Sequence, residues 1–403
     1  MFNIVLRFFS LLTKKQKRNF FLLQFLALLM AIIEILGLAS VFPFITLVGD
    51  IDQLQQDTIF GKIYKASGIK SELQFLFFSG LSVLSILVVS SIISMLTIWK
   101  LSLFSTRTGA EIADRLYSYY LKKSLLFHTS GNTAELIKKI ALEAPRATTG
   151  ILLPLMKLIS RLVIVIILSL TIFIIDPKVA FIGFFVFATA YYILFRLVRM
   201  RLQRNGKNIS KVNGKRYRLM NEAFGGIKDI LLMNRSSNFI SLFSEKGSTL
   251  AYSQGANSAL KQIPRYFMEL IAFSSMILLV LYLIINHQGN LSIIIPILTI
   301  YALASLKLLP AFQQIYSSIA TIKGNVAAFK SIEKDLLASR TYKHQSVKQN
   351  QNQKFLDIET KIDLKNVTFN YPNKKPTLKN INISIPAKNV IGIVGPTGSG
   401  KST

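Results

Sequence analysis

Leu76-Phe77-Phe78-Ser79-Gly80-Leu81-Ser82-Val83-Leu84-Ser85-Ile86-Leu87-Val88-Val89-Ser90-Ser91-Ile92-Ile93-Ser94-Met95-Leu96-Thr97-Ile98-Trp99 is a run of 24 residues without a formal charge. As a helix it would rise about 36 Å, enough to cross a hydrocarbon core about 30 Å thick. Five further apolar stretches lie around it, at 20–48, 151–175, 179–195, 266–285 and 291–309. The fold class is therefore an α-helical membrane protein with six spans. Lys14, Lys15, Lys17 and Arg18 precede the first stretch, as in a signal peptide. That stretch is too long for a signal core and lacks a clear small-residue cleavage site, so it counts as a span.

Composition narrows the classes. The 403 residues carry 48 Lys+Arg against 19 Asp+Glu, a formal charge of +29, yet 51% are hydrophobic. Such an apolar chain is not disordered, and a single soluble domain with this surface would aggregate. A nucleic-acid partner would explain the charge but not the hydrophobicity. Basic loops on the inner side of a membrane explain both. There is no cysteine, so disulfides and cysteine-ligated metal are excluded, and His128, His287 and His344 are too scattered to suggest a cluster.

Charge also sets the orientation. Residues 100–150 hold eight Lys/Arg and residues 196–265 hold fourteen, whereas the alternate connections 49–72, 176–178 and 286–290 show no basic excess of that size. The N-terminus, both basic segments and the C-terminal tail are expected in the cytoplasm, in a bacterial inner membrane. The basic segments contain little proline. Ile112, Ala113, Leu116, Tyr117, Tyr120, Leu121 and Leu125 recur at helical spacing. Spanning helices that continue below the membrane and join in hairpins are expected, their charge a solvated face near anionic lipid. In the first outer loop Leu54, Ile59, Ile63 and Tyr64 recur with Asp52, Asp57, Lys62 and Lys65 between them. That pattern suits either an amphipathic helix on the outer face or a cap over the bundle.

After residue 330 the composition turns polar, with 345–353 reading QSVKQNQNQ. Three domains follow: residues 1–330 as the six-span domain with long helical extensions, 331–360 as a polar linker, and 361–403 as the β-rich start of an ATP-binding domain. β-like runs at 362–369, 381–385 and 390–394 are separated by turn residues Pro372, Asn373 and Pro376. The tail is Gly395-Pro396-Thr397-Gly398-Ser399-Gly400-Lys401-Ser402-Thr403, a gapless match to G-x-x-x-x-G-K-[ST]. Its glycines let successive N–H groups turn toward phosphates, Lys401 would meet the β- and γ-phosphates, and the Ser402 hydroxyl would ligate Mg²⁺. ATP and Mg²⁺ are the implied cofactors. Tyr371 offers an aromatic face for adenine or a packed strand end.

Six spans followed by Val367-Thr368-Phe369-Asn370-Tyr371 and then GPTGSGKST resemble an ABC exporter half-transporter, across essentially the whole chain. Three segments, at 33–47 (IEILGLASVFPFITL), 263–269 (IPRYFME) and 306–310 (LKLLP), resemble PglK-type lipid-linked oligosaccharide flippases. The resemblance implies that Tyr371 stacks on adenine, that stretches around 127–137 and 221–229 are coupling helices touching the ATPase, and that the protein works as a homodimer. Gly225 and Gly226 suit the sharp turn such a tip needs. At Lys388-Asn389 the family usually has a glycine, and Asn389 is expected to take the left-handed turn. The family also uses a Walker B pair, a signature loop and a switch histidine, and none of these follows Thr403. The expectation is a truncated product, cut within its nucleotide-binding domain and unable to hydrolyse ATP by itself.

Glu34, Lys157, Arg161, Glu269 and Lys307 fall in or at the ends of spans, where a charge costs roughly 2.5–3.5 kcal/mol at the helix centre. Lys157 and Arg161 share a helix face and read as snorkelling to inner headgroups. Glu269 lies one turn from Arg265 and reads as its ion-pair partner. Lys307 reads either as a snorkelling lysine or as a cavity cation that contacts a lipid pyrophosphate. Against the second stand the turn after Pro310, which lacks arginine, and Ser90, where the resembling family suggests a basic residue. The functional reading is an ATP-driven transporter of a lipid-linked oligosaccharide or similar amphipathic glycan, in contact with membrane lipid. A peptide, drug or lipid A exporter and a non-functional membrane fragment are the alternatives.

Overall fold

A computed structural model describes residues 2–49, 51–55, 59–69, 71–130, 132–175, 177–286, 291–341, 358–371 and 376–403. The first outer loop's Asp57, the turn residues Pro372 and Asn373, and the polar run at 345–353 lie outside the described residues.

The chain divides into two compact units, the larger being Met1–Leu121 with Thr133–Arg340. It begins with α1 (Phe2–Ser10) and α2 (Lys14–Ala39). Thr13 starts α2 with a reciprocal cap, its hydroxyl accepting from the Gln16 N–H and its own N–H donating to Gln16 Oε1 at 2.9 Å. A break at Ser40 leads into α3 (Val41–Gly49), a short 3₁₀ turn (Ile51–Leu54) and α4 (Ile59–Ser67). Leu54 is fully buried and Ile63 is exposed, so the loop is partly anchored at its 3₁₀ turn.

Four long helices dominate this unit: α5 (Glu72–Leu121), α10 (Pro177–Gly225), α12 (Ser236–Asn286) and α13 (Leu291–Thr341). Between α5 and α10 the chain forms α7 (Thr133–Lys138), a π-helical turn (Lys139–Glu143), α8 (Ala144–Ala147), a second π-turn (Thr148–Leu152) and α9 (Leu153–Ile175). Among the described residues, four stretches are long and apolar enough to cross a membrane: Lys14–Gly49, Glu72–Leu121, Thr133–Ile174 and Ser236–Tyr282. The other two expected spans lie in α10 and at the start of α13, where many side chains fall outside the described set. Apolar side chains such as Phe77, Met95, Trp99, Ile174 and Ile277 point outward, as a lipid-facing surface requires.

The tightest packing lies in the helical extensions. Leu101, Ile112, Leu116, Ala144, Ala147, Leu202, Ala320, Ile322, Phe329 and Leu336 are all buried. The helical stripe on α5 is narrower than its sequence suggests. Ile112, Leu116 and Tyr120 are buried, whereas Tyr117 and Leu121 are exposed. α13 runs to Thr341, so the first residues of the stretch read as linker are helical. Ile332 and Leu336 explain this, since both are fully buried. At the end of α13, Asp335 accepts from Tyr120 Oη at 2.7 Å and Lys139 Nζ at 2.8 Å. α1 lies against the same helix, with Phe8 edge-on to Phe329 at 5.2 Å.

At two helix contacts glycine makes the packing possible. A Cβ on Gly206 of α10 would collide with the Gly324 carbonyl oxygen of α13, and one on Gly150 would fall 2.5 Å from Asn325 Cγ. Glu143, fully buried, pairs with Arg146 at 3.0 Å, and Arg146 reaches Ser210 at 3.3 Å and Asn325 at 3.4 Å. Gly206→Val should force α10 and α13 apart and destabilise the helical unit by about 1–3 kcal/mol. A lowered thermal midpoint of the purified chain in detergent is the expected readout.

Candidate functional site

Two groups of chemistry-bearing residues stand out, one in each unit. The second unit holds Lys122–Asn132 together with Thr341–Thr403. Its regular elements are α6 (Leu125–Ser130) and the strands β1 (Lys361–Phe369) and β2 (Leu378–Pro386). The strands pair antiparallel, with Leu364 opposite Ile383 and Phe369 opposite Leu378. Two register shifts interrupt the ladder. Asn366 and Asn380 sit there with positive φ, and their N–H groups donate to Asn382 Oδ1 at 2.8 Å and Thr368 Oγ1 at 3.1 Å. The Ser384 hydroxyl, and after it Lys361, hold the Asp363 carboxyl below its ordinary value.

The run 390–394 was expected to be a strand, and it is irregular here. A buried strand needs ladder partners on its edges. Among the described residues the one sheet is the two-stranded one, and Val390 and Val394 are almost fully exposed. The glycine-rich loop is nonetheless sharply curled. Gly398 and Gly400 have φ of +86° and +89°, and a Cβ on Gly400 would come 2.9 Å from Leu378 Cδ2. Lys401 Nζ folds back onto the loop, donating to the Gly395 and Pro396 carbonyls at 2.7 and 2.9 Å. Tyr371 is brought to the same place. Its hydroxyl lies 3.4 Å from Thr403 Oγ1, and its ring stands edge-on to Phe369 at 5.1 Å. The turn before the loop also differs from expectation, because Lys388, not Asn389, takes the left-handed conformation, with φ of 61°.

The other group lies among the spans. Glu34 of α2 accepts from Arg161 of α9 through Oε2 at 2.9 Å and from Lys307 of α13 through Oε1 at 3.1 Å. The three side chains are 14%, 22% and 37% exposed, so Lys307 is the loosest member. Ala31, Ile164, Leu168 and Ala311 form an apolar cluster on the same three helices, with Ile35 and Leu308 packed against it. Arg161 and Lys307 thus hold a shared carboxylate, and snorkelling alone does not describe them. The sequence marked all three as charges within spans, but separations of 127 and 273 residues hide their pairing. Glu269 does pair with Arg265, at 2.7 Å. Ser90 is buried and donates to the Ile33 carbonyl at 3.3 Å, and Gly37 lies close beside it. A long basic side chain has no room there.

The segment around 221–229 forms a hairpin tip. α10 ends at Gly225, and Gly226 opens α11 (Ile227–Leu232). Asn234 closes it with φ of 51°. Phe224, Leu231, Leu232 and Met233 are exposed on this tip. In the segment around 127–137, α6 falls in the second unit and α7 in the first.

Residues 20–308 match the family model described as the ABC transporter transmembrane region. The chain belongs to this family. Among curated ABC transporters, the ATP-dependent lipid A-core flippase of Pseudoalteromonas translucida is 22% identical over 324 residues, 80% of this chain and 54% of the flippase. The Salmonella typhimurium flippase of the same description is 21% identical over 336 residues, 83% of this chain and 56% of that protein. The chain therefore spans about half the length of these relatives. A solved bacterial Atm1-family ABC exporter with ATP bound shares the fold, with a TM-score of 0.64 at 15% identity, over 93% of this chain and 63% of that one.

The ion triad gives a stability prediction. Arg161→Met should destabilise the ABC transporter domain by about 1.5–3 kcal/mol, because it removes one of two charged hydrogen-bond partners of a largely buried carboxylate and leaves Lys307 as the other. The Glu34→Gln/Arg161→Met double variant should lose clearly less than the two single variants summed, as read by thermal unfolding in detergent.

Proposed function

We propose that this chain is the membrane half of an ATP-driven transporter that moves a lipid-linked oligosaccharide, or a similar amphipathic glycan, across the membrane. The observation that carries the reading is the triad at membrane depth. Its two cations share one carboxylate, so it has an excess of positive charge where a lipid phosphate would travel. Lys307, the most exposed member, is the proposed contact to that phosphate. A lipid A-like phosphoglycolipid is the second reading, favoured by the similarity to lipid A-core flippases.

The power stroke is assigned to the loop at 395–403. In this reading its N–H groups cradle the phosphates of ATP. Lys401 exchanges the Gly395 and Pro396 carbonyls for the β- and γ-phosphates, Ser402 ligates Mg²⁺, and Tyr371 stacks on adenine. Convergence of Tyr371 and Thr403 supports this arrangement. The exposed apolar tip at Phe224, Leu231, Leu232 and Met233 suits docking on a nucleotide-binding domain, as a homodimer would supply. Arg196, Arg199, Arg201 and Arg204, directly after the fourth apolar stretch, support a cytoplasmic placement of the extensions and of both termini.

Two measurements test the proposal. The 403-residue chain should bind a fluorescent ATP analogue in detergent, and Lys401→Ala should weaken that binding at least about tenfold, since it removes a charge from the phosphates. Absence of nucleotide binding would sink the first part, and unchanged binding by Lys401→Ala the second. In a polypeptide that carries an intact nucleotide-binding domain, Lys307→Ala should lower flipping of a phosphate-linked glycolipid in vesicles by several-fold. Unchanged flipping would return Lys307 to a simple interfacial role.

A further inference from the structure

The triad is arranged as more than a patch of positive charge. Glu34 uses one oxygen for each cation, Oε2 for Arg161 and Oε1 for Lys307. An unpaired lysine or arginine at this depth is costly, so a membrane site built to take an anion needs a counter-charge while it is empty. Glu34 provides one from within the chain. The two legs are unequal. The Arg161 leg is shorter and better buried, at 2.9 Å, and the Lys307 leg is longer, at 3.1 Å, with Lys307 37% exposed. Lys157 lies one turn before Arg161 and adds a further positive charge to the same face. The apolar cluster of Ala31, Ile164, Leu168 and Ala311 holds the three helices together beside the ions, so exchange at Lys307 does not require the helices to separate.

We propose that Glu34 is an internal competitor for the substrate anion. Its Oε1 occupies Lys307 in the empty state, is displaced by the phosphate of an amphipathic ligand, and recaptures Lys307 on release, while Oε2 keeps Arg161 in place. Glu34 then sets how strongly an anion must bind and helps eject it. This inference rests on the proposed anion-binding role of Lys307. It concerns a binding equilibrium and does not depend on ATP-coupled movement, so flipping can fail in its own assay while the competition stands.

The experiment measures binding to the 403-residue chain in maltoside detergent by thermal shift and by isothermal titration. The probes are dodecyl phosphate, inorganic phosphate and uncharged dodecanol. Glu34→Gln removes the competitor's charge and keeps its shape. It should bind dodecyl phosphate at least about tenfold more tightly than the native chain, the order expected when one close internal charge pair stops competing. Glu34→Asp keeps the charge on a shorter arm and should fall between the two, which guards against a folding defect in the glutamine variant. Lys307→Met should abolish the gain when combined with Glu34→Gln, and dodecanol should not distinguish any of the variants. A gain seen equally with inorganic phosphate would keep the competition and assign the anion to a soluble source instead of a lipid. Equal dodecyl phosphate affinity in the native and Glu34→Gln chains, or a gain that survives loss of Lys307, would overturn the proposal.

Discussion

A helix of 50 residues rises about 75 Å, and the hydrocarbon core takes up only about 30 Å of it. That mismatch governs the larger unit of this protein. Within lipid the backbone satisfies itself in helices, and apolar side chains need no protein partner, so the spans can expose Phe77, Trp99 or Ile277 freely. Beyond the lipid the same helices meet water and must pack. The tight contacts follow from this. Gly206 against Gly324 and Gly150 against Asn325 leave no space for a side chain at the glycine, and the Glu143–Arg146 pair is buried.

The same division explains what the sequence made legible. Apolar run length and basic loops are local signals, so six apolar stretches and their long extensions could be read directly. The glycine-rich loop was legible as a sharp turn because of its glycine spacing, and two of its three glycines, Gly398 and Gly400, adopt positive φ. Side-chain partnerships across helices were not legible. Nothing local links Glu34 to Lys307 or Tyr120 to Asp335, since the pairs are separated by 273 and 215 residues. The run at 390–394 failed for a related reason. Its residues have the apolar, β-branched character of a buried strand, but a strand is made by its neighbours, and the described residues pair only β1 with β2.

The turn at Lys388 shows the limit of reasoning from residue type. Asparagine tolerates the left-handed region better than lysine, so Asn389 was the natural choice. The positions of Asn234, Asn366 and Asn380 obey that preference. At 388 the end of β2 sets the geometry, with the Ala387 N–H donating to the Thr360 carbonyl at 2.7 Å. The residue that follows this closure has to reverse the chain whatever its side chain. Local preference decides between conformations only where the surrounding hydrogen bonds leave a choice.

The short helices of the two proposed coupling segments fall in different units. α6 belongs to the unit that carries the glycine-rich loop, whereas α11 belongs to the helical unit. α11 is too short to be stable without packing, and it leaves Leu231 and Leu232 in the open. Exposed apolar groups at a capped, glycine-hinged tip are unfavourable in a lone protein and favourable in an assembly that covers them. A second copy would supply such a cover, and it would also let one chain's helices respond to the other chain's nucleotide. In the proposed homodimer, the features that look unfinished in one chain become the contacts between two.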